Sequence, residues 1–303
     1  MVIIAKKVGR LANRILLFAH FIATAAEHGF GVVNPAFGRY AHYFPSTSND
    51  LLCRYPPAKA TPPLNRYVRE LLYQACFSGA NFLHALKQRG HDVGLIRLRR
   101  DQSLDLDSPE FLGFLRKHRL VFVQDWFFRS ENNCEKHGKV VRSFFTPREK
   151  HLRRAREIVA PSRDKGRFLV GVHIRRTDYD SFKGGSFFYS HRQYRRVMER
   201  VEEAFADRDV SFLLCSDAPV PKDVFAGLDT ICGNGHELED LLALAACDRL
   251  IGPPSTYSKW ASYYGEVPRY EIFDPAEPVT QESFAVTRRL AHGLTSFQPV
   301  VPR

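Results

Sequence analysis

Apolar residues along the chain occur either in continuous runs, as in buried strands, or three to four positions apart, as in helices, and segments of the two kinds alternate. Val2 to Ala5 is a continuous apolar run, as expected of a buried strand. Residues 10–27 have the spacing of a helix, with these apolar members: Leu11, Ile15, Phe18, Ile22 and Ala25. The helix is predicted to end at His28-Gly29, and residues 30–33 form a second apolar run. The chain therefore opens with a predicted strand, helix and strand.

The remainder of the first half is less regular. Residues 34–63 are rich in Pro, Ser and aromatic side chains and are predicted to form a long loop, which in a compact domain is more often functional than idle. Residues 65–87 have helical spacing, with an expected interruption near Ser78-Gly79. The other predicted elements of this half are strands at 93–98 and 120–124 and a short helix after Ser108-Pro109.

A domain boundary is predicted near residue 146. Thr146 to Glu149 (TPRE) matches a capping box with proline at the first helical position, and this helix is expected to stop at Pro161. Strands then alternate with helices: strands at 167–174, 210–215, 229–231, 249–252 and 269–273, helices at 190–206, 219–226, 237–247 and 255–265, with a capping box at Ser190 and Gln193. Because this alternation favours parallel sheets with crossover helices, the sequence predicts an α/β fold of two Rossmann-like, doubly wound domains, 1–146 and 147–303, facing a cleft.

Composition narrows the class of partner. The 303 residues are 44% hydrophobic, which suffices for two cores, and a net charge of +11 favours an anionic partner such as a nucleotide, a nucleic acid or an acidic membrane surface. The six cysteines have no metal-ligand spacing, and three lie in apolar runs, so a reducing compartment is expected. No targeting segment or bilayer-length apolar run is visible, which predicts a soluble, cytoplasmic protein.

The segment HIRRTDY (173–179) places polar groups at the carboxyl end of a predicted strand, where doubly wound sheets bind ligands. Arg175 and Arg176 offer two guanidiniums that suit a diphosphate, and Asp178 is placed to hold one of them. The alternative is a solvated ion pair beside a core histidine at His173. For the cluster as a whole, a binding function is the stronger interpretation.

Two later segments place polar groups at the same edge. Asp217 ends the strand SFLLCSD, and Ser255 and Thr256 begin a helix whose N-terminus is suited to an anion. The alternative for the hydroxyls is ordinary N-capping. Asp240 lies on the preceding helix. It could contribute to the same site, or it could be a solvated charge in the first turn of that helix.

Four segments together resemble glycosyltransferase family 11, the bacterial alpha-1,2-fucosyltransferases, and their relatives in the fucosyltransferase superfamily. They are GRLANR (9–14), HIRRTDY (173–179), CSD (215–217) and DLLALAACDRLIGPPSTYSKW (240–260). The resemblance runs from about residue 3 to 275. It implies a GT-B-like fold and a metal-independent, inverting transfer of fucose from GDP-fucose to a hydroxyl of a glycan acceptor, with an alpha-1,2 linkage and no cofactor.

The resemblance also implies roles for individual residues. His173, Arg175 and Asp178 are the expected catalytic group, in which Arg175 binds the diphosphate, His173 lies by the nucleotide and Asp178 orients the arginine loop. Ser255 and Thr256 would contact the phosphates, Asp240 would bind the guanine edge, and Asn13 would face the cleft, nearer the acceptor. Arg176 and Asp217 are also expected among the nucleotide-binding residues. The chain departs from the family pattern at several places, one of which is Thr177, where the family usually has Gly.

Other functions stay open at this point. The triplet Asp105-Leu106-Asp107 would suit a metal-dependent GT-A glycosyltransferase, although it does not follow a strongly apolar strand. The basic charge would suit a nucleic-acid-binding protein, but the arginines of HLRRAR (151–156) lie on a helix interleaved with apolar residues, as in a solvated face. A different nucleotide sugar, or a donor-binding protein without catalysis, also fits. A lipid-linked glycan acceptor would bring the protein to the inner face of an anionic membrane.

Overall fold

A computed structural model describes residues 1–57, 66–85, 92–99, 102–290 and 298–299, and the alternation of strands and helices is present along them. They group into two units, Met1–Arg148 with Arg289–Arg303, and Glu149–Arg288. The change of unit after Arg148 lies two residues beyond the predicted boundary. In these residues no helix is both long enough and apolar enough to cross a bilayer.

The first unit is built on a mostly parallel sheet. Its strands are β1 (Val2–Ile4), β2 (Val32–Val33), β3 (Arg54–Tyr55), β4 (Val93–Arg97), β5 (Gln102–Asp105), β6 (Leu120–Gln124) and β7 (Phe128–Arg129). Its helices are α1 (Leu11–His28), α2 (Pro45–Ser48), α3 (Arg66–Ala85), α4 (Pro109–Lys117), α5 (Glu131–Lys136) and α6 (Gly138–Phe144). The main sheet has the order β3-β2-β1-β6-β4, in which only β3 is antiparallel to its neighbour.

Two expectations for the first unit are corrected. The segment predicted as a loop from residue 34 contains α2 and β3 and two single-turn 3-10 helices, Pro35–Phe37 and Ala41–Tyr43. Helix α3 continues through Ser78-Gly79 without the predicted interruption. Tyr73 and Ala80 are buried on its inner face, on either side of Gly79, and this packing outweighs the low helix propensity of glycine.

The second unit is a doubly wound sheet. Its strands are β8 (Phe168–Ile174), β9 (Val210–Ser216), β10 (Thr230–Cys232), β11 (Arg249–Gly252), β12 (Pro268–Glu271) and β13 (Ala285–Val286), and its helices are α7 (Glu149–Arg163), α8 (His191–Ala204), α9 (Glu239–Leu244) and α10 (Thr256–Gly265). The strand order β10-β9-β8-β11-β12-β13 is that of a Rossmann fold, with an antiparallel β13 at the edge. The order reverses at β8, so the carboxyl ends of β8 and β11 border the crevice in which such sheets bind ligands.

Several helix boundaries predicted for the second unit differ from those in the structure. The capping box at Ser190 and Gln193 is confirmed, whereas α7 begins at Glu149 and the hydroxyl of Thr146 donates to the carbonyl of Arg142 at 3.4 Å. Helix α7 also continues past Pro161, because Arg163 in its last turn binds Asp248 at 2.6 Å and the carbonyl of Ala246 at 2.6 Å. The predicted helix at 219–226 is reduced to a single 3-10 turn, Asp223–Phe225.

Arg289 and Leu290, near the end of the chain, group with the first unit, whereas the predicted second domain ran to residue 303. Leu290 is fully buried, and its carbonyl accepts a hydrogen bond of 3.2 Å from Nε2 of His20 in α1. Gln298–Pro299 forms a further strand, β14, that pairs in parallel with β5. These contacts have no counterpart in the local sequence pattern, which is why the pattern could not assign them.

The capping box of α8 gives a test of local stability. The Ser190 hydroxyl accepts a hydrogen bond from the Gln193 backbone N–H, so Ser190→Ala is expected to lower the free energy of unfolding by about 1 kcal/mol. Urea denaturation of the purified chain measures this. Ser190→Asp keeps an N-cap acceptor and is expected to stay near wild type; equal losses in both variants would contradict the capping explanation.

Candidate functional site

The Arg175 guanidinium is fixed between two carboxylates just beyond the carboxyl end of β8. Its Nη1 lies 2.8 Å from Asp217 Oδ2, and its Nη2 lies 2.6 Å from Asp178 Oδ1. The predicted pairing with Asp178 is confirmed, whereas the pairing with Asp217 joins residues 42 positions apart and was not predicted. The Arg175 and Asp217 side chains are each 16% exposed, whereas Asp178, the carboxylate of the alternative interpretation, is 52% exposed, so the solvated pair describes only the Asp178 side of the contact.

Asp217 organises the loop after β8 through several hydrogen bonds. Its Oδ1 accepts from the backbone N–H of Arg176 at 2.8 Å, and its Oδ2 accepts from the Thr177 hydroxyl at 2.5 Å. Burial by itself would raise the pKa of Asp217, but these bonds and the charge of Arg175 outweigh it and hold the pKa below the usual value. Thr177, at a position where the resembled family usually has glycine, therefore contributes to the ionised state of Asp217.

The two adjacent arginines point to different partners. The Arg176 guanidinium donates to the carbonyl of Tyr189 at 2.7 Å and lies 4.1 Å from the centre of the Phe188 ring. Arg175 instead lies over the Tyr179 ring at 5.6 Å. The structure therefore groups Arg175 with the carboxylates, while the side chain of Arg176 holds the segment before α8.

His173 is buried and neutral inside the sheet edge. Burial, followed by the nearby positive charge of Arg175, lowers the pKa of His173 to about 3. Its ring packs against Tyr257 with centroids 4.9 Å apart, and its Nδ1 is buried without a hydrogen-bond partner among the described residues. His173 is thus a core histidine, as the alternative interpretation proposed, but not a fully satisfied one. A Cβ at Gly252 would come within 3.0 Å of His173, so β11 can lie this close to β8 only because that residue is glycine.

Tyr179 connects the arginine loop to the start of α10. Its hydroxyl donates to the carbonyl of Pro254 at 2.6 Å, next to Ser255, the N-cap of α10. The Ser255 hydroxyl accepts from the Tyr257 N–H at 3.2 Å, so the capping role offered as the alternative is present. Thr256 is the first residue of α10. The positive end of the helix dipole at this N-terminus makes the position suitable for an anion.

A cavity of about 450 Å³ opens beyond β9 and β10. Its lining includes Asp217, Val220, Cys232, Gly233 and Asp240. Asp240 is 5% exposed, which corrects the alternative that treated it as a solvated charge.

Backbone groups of one loop bind the Asp240 carboxylate. The N–H of Asn234 donates to Oδ1 at 2.8 Å and that of Gly235 donates to Oδ2 at 3.1 Å. Burial raises the pKa of Asp240 despite these bonds. A carboxylate accepts about four hydrogen bonds, so each oxygen keeps capacity for a ligand in the cavity.

Asn13 belongs to the first unit. It lies in the first turn of α1 and packs against Gly9, where a Cβ would overlap its amide. The carboxyl edge of that sheet also holds an ion pair of 2.7 Å between Lys6 after β1 and Asp125 after β6, and Asp125 has a φ of 125°. Lys6 follows β1 and Asp125 follows β6, the two adjacent strands at which the strand order of this sheet reverses. Ligands of open α/β sheets usually bind beside such a reversal.

The carboxylates of the Asp105-Leu106-Asp107 triplet form hydrogen bonds within the first unit. Asp107 accepts hydrogen bonds from His28 at 3.1 Å, from Ser130 at 2.6 Å and from Asn133. Asp105 accepts from the backbone N–H of Asp107 at 2.9 Å. These bonds tie α1, α5 and the turn after β5 together, so the triplet is engaged in protein contacts rather than converging on one ion position.

A cluster of different chemistry lies behind the cavity. His151 of α7, His236 and Glu239 of α9 place potential metal-ligating atoms within 4.8 Å of one another. The Nδ1 of His151 lies 2.8 Å from Glu239 Oε1. This cluster leaves no signal in the sequence, because His151 and His236 come from segments 85 positions apart and match no metal motif.

Comparison with known proteins informs the fold. No family model and no curated protein sequence matches the chain. Among solved structures it is similar to a mutant of the fucosyltransferase FUT1 from Arabidopsis thaliana in complex with GDP, with a TM-score of 0.55, 13% sequence identity, and coverage of 95% of this chain and 73% of that chain. At this identity the likeness concerns the fold, and it confirms the GT-B-like class.

The buried state of His173 predicts a pH dependence of stability. Between pH 6.5 and about 3 the unfolded chain binds a proton at this residue that the native state does not, so stability falls as the pH is lowered through this range. His173→Phe is expected to reduce the slope of the unfolding free energy against pH by up to about 1.4 kcal/mol per pH unit. Urea denaturation between pH 5 and 7 measures the slope. Tyr257→Phe disturbs the same packing without removing the titrating group and is expected to keep the wild-type slope; an unchanged slope in His173→Phe would contradict a buried neutral imidazole.

Proposed function

We propose that the protein is a glycosyltransferase that uses GDP-fucose as its donor. One observation carries the proposal: Arg175, held by two carboxylates, shares the crevice at the carboxyl ends of β8 and β11 with the N-terminus of α10. The GT-B-like fold and the resemblance of the sequence segments to fucosyltransferases support the choice of a GDP-sugar. The GDP bound to the similar structure is consistent with it.

The chemistry of this crevice suits departure of a diphosphate. When the bond between the sugar and the diphosphate breaks, negative charge grows on the leaving phosphate oxygens, and donors already oriented toward them stabilise the transition state more than the ground state. Arg175 and Arg176 are offset by Asp178 and Asp217, so the formal charge of this group is zero. Directed hydrogen bonds from Arg175, together with the N–H groups of α10, would therefore provide the stabilisation rather than an excess of positive charge.

The cavity beside Asp240 is proposed to hold the nucleobase. A buried carboxylate is suited to accept the N–H groups on the Watson–Crick edge of guanine, and an aliphatic side chain, Val220, lines the same cavity. The remaining acceptor capacity of Asp240 makes a purine with adjacent donors a better partner than uracil. His173, neutral and packed on Tyr257, would lie beneath the nucleotide without adding charge.

We further propose that transfer inverts the anomeric centre, needs no metal and forms an alpha-1,2 linkage to a glycan hydroxyl. The acceptor would bind the first unit, with Asn13 at its carboxyl edge. These points rest on the resemblance of the sequence to family 11. A cytoplasmic location, with contact to an anionic membrane surface where the acceptor is lipid-linked, fits the net charge of +11.

The donor site is tested by calorimetric titration in EDTA with GDP, GDP-fucose, GDP-mannose and UDP-sugars. GDP and GDP-fucose are expected to bind wild type, and Arg175→Ala is expected to weaken that binding by about 2 kcal/mol, the scale of a charge-assisted hydrogen bond left unmade. Arg156→Ala, which removes an exposed arginine paired with Glu149 in the same unit, is the matched control and should bind as wild type does. Preference for UDP-sugars, or a requirement for a divalent cation, would refute the donor assignment.

Turnover separates an enzyme from a donor-binding protein. Wild type incubated with GDP-fucose and a panel of oligosaccharide acceptors is expected to release GDP at a rate that EDTA does not lower, and proton NMR of the product should show an alpha-fucosyl linkage at a 2-hydroxyl. Asp217→Asn removes the anionic partner of Arg175 and is expected to reduce the rate at least tenfold because the arginine loop loses its anchor. Binding of GDP-fucose without turnover on any acceptor would favour the non-catalytic alternative.

A further inference from the structure

The loop between β10 and α9 is built around two adjacent buried carboxylates. Asn234 binds both of them: its backbone N–H donates to Asp240 at 2.8 Å, and its side-chain amide donates to Glu239 Oε2 at 2.6 Å. Gly233 lies so close to Asp240 that a Cβ there would come within 2.5 Å of the carboxylate. Asn234 therefore links the carboxylates of Glu239 and Asp240, which are also neighbours in the chain, through one side-chain and one backbone hydrogen bond.

Glu239 is in turn anchored outside the loop. Its Oε1 lies 2.8 Å from Nδ1 of His151, which is 5% exposed on α7. A hydrogen bond between a buried imidazole and a carboxylate that is 8% exposed is stronger than one in water and restricts the orientation of both groups. The chain of contacts thus runs from α7 through Glu239 and Asn234 to Asp240 at the cavity wall.

The Nδ1 atoms of the two histidines and the oxygens of Glu239 could be considered as metal ligands, but these atoms already have protein partners. Both oxygens of Glu239 accept hydrogen bonds, from His151 and Asn234. The Nδ1 of His236 accepts from the backbone N–H groups of Leu238 at 3.2 Å and Glu239 at 3.3 Å. A metal at this position would displace these bonds, so a hydrogen-bonded support explains the cluster with fewer changes.

We propose that His151 and Glu239 are positioning residues for nucleobase selection, which hold Asn234 and thereby aim the Asp240 carboxylate into the cavity. The inference rests on the proposed function, because it takes guanine as the group that Asp240 binds. It assigns to α7, which contributes no residue to the cavity lining, a role in donor specificity. Loss of this support should therefore reduce discrimination between bases while contacts to the diphosphate persist.

The test compares the dissociation constants of GDP, IDP and inorganic pyrophosphate by calorimetry. IDP lacks the exocyclic amino group of guanine, so wild type is expected to prefer GDP to IDP by at least tenfold. His151→Leu and Glu239→Leu are expected to reduce that ratio to less than threefold and to change pyrophosphate binding by less than twofold. His151→Asn keeps an N–H near the position of Nδ1 and is expected to restore most of the ratio.

Asp248→Asn is the matched control. Asp248 accepts hydrogen bonds from Arg163 and from the Leu169 backbone at the opposite end of the same sheet. Its replacement is expected to lower the melting temperature without changing the ratio of GDP to IDP affinity. Melting temperatures of all variants show whether each is folded. If His151→Leu does not fold, the ratio of GDP to IDP affinity is compared between Glu239→Leu, where it should fall, and His151→Asn, where it should stay near wild type.

The outcomes separate the two proposals. If wild type binds no GDP, the proposed function fails and this inference fails with it. If wild type selects GDP over IDP and the His151 and Glu239 variants select it equally well, the inference alone is overturned. A rise in melting temperature with Zn²⁺ that is lost in His151→Leu would also overturn it, because the cluster would then be a metal site.

Discussion

The contact between Asp217 and the loop after β8 is the interaction on which the candidate site depends. One carboxylate at the end of β9 binds the guanidinium of Arg175, the backbone of Arg176 and the hydroxyl of Thr177. A loop with three such contacts loses most of its freedom before any ligand arrives, so the entropy of ordering Arg175 is lost on folding rather than on binding. The contact also requires that β8 and β9 be neighbours, which the strand order of the second unit provides.

Burial then decides what each ionisable group of the site can do. The pKa of His173 is lowered because its imidazole has no access to water, and the pKa of Asp240 is raised for the same reason, although the two groups carry charges of opposite sign when ionised. Asp217, with donors on both oxygens, remains readily ionised. The site therefore combines the neutral ring of His173, the fixed ion pair of Arg175 with Asp217, and the Asp240 carboxylate bound by backbone N–H groups, all at one edge of one sheet.

The net positive charge of the chain is not concentrated at this edge. Helix α7 carries several exposed arginines that pair with carboxylates of the same helix, for example Arg154 with Glu157 and Arg156 with Glu149. These pairs are the solvated helix faces that the spacing of the sequence indicates. Exposed pairs of this kind contribute little to stability, and they leave the selective chemistry to the few charges that are buried.

The sequence by itself determined most of the strands and helices, because apolar runs and helical spacing reflect burial directly: β6 and β11 lie at the predicted positions, and the capping box at Ser190 forms as written. The short strands β3, β5, β7, β13 and β14 were not predicted. It also indicated Arg175 with Asp178, since residues three positions apart in one loop can meet without help from the fold. Only the tertiary structure decided the other partners, because Asp217, Pro254 and the pair of His151 with Glu239 come from distant segments that the sheet brings together. Leu290 and the 219–226 segment follow the same rule: His20 binds the carbonyl of Leu290, Arg195 binds the carbonyls of Val224 and Ala226, and no local pattern records these contacts.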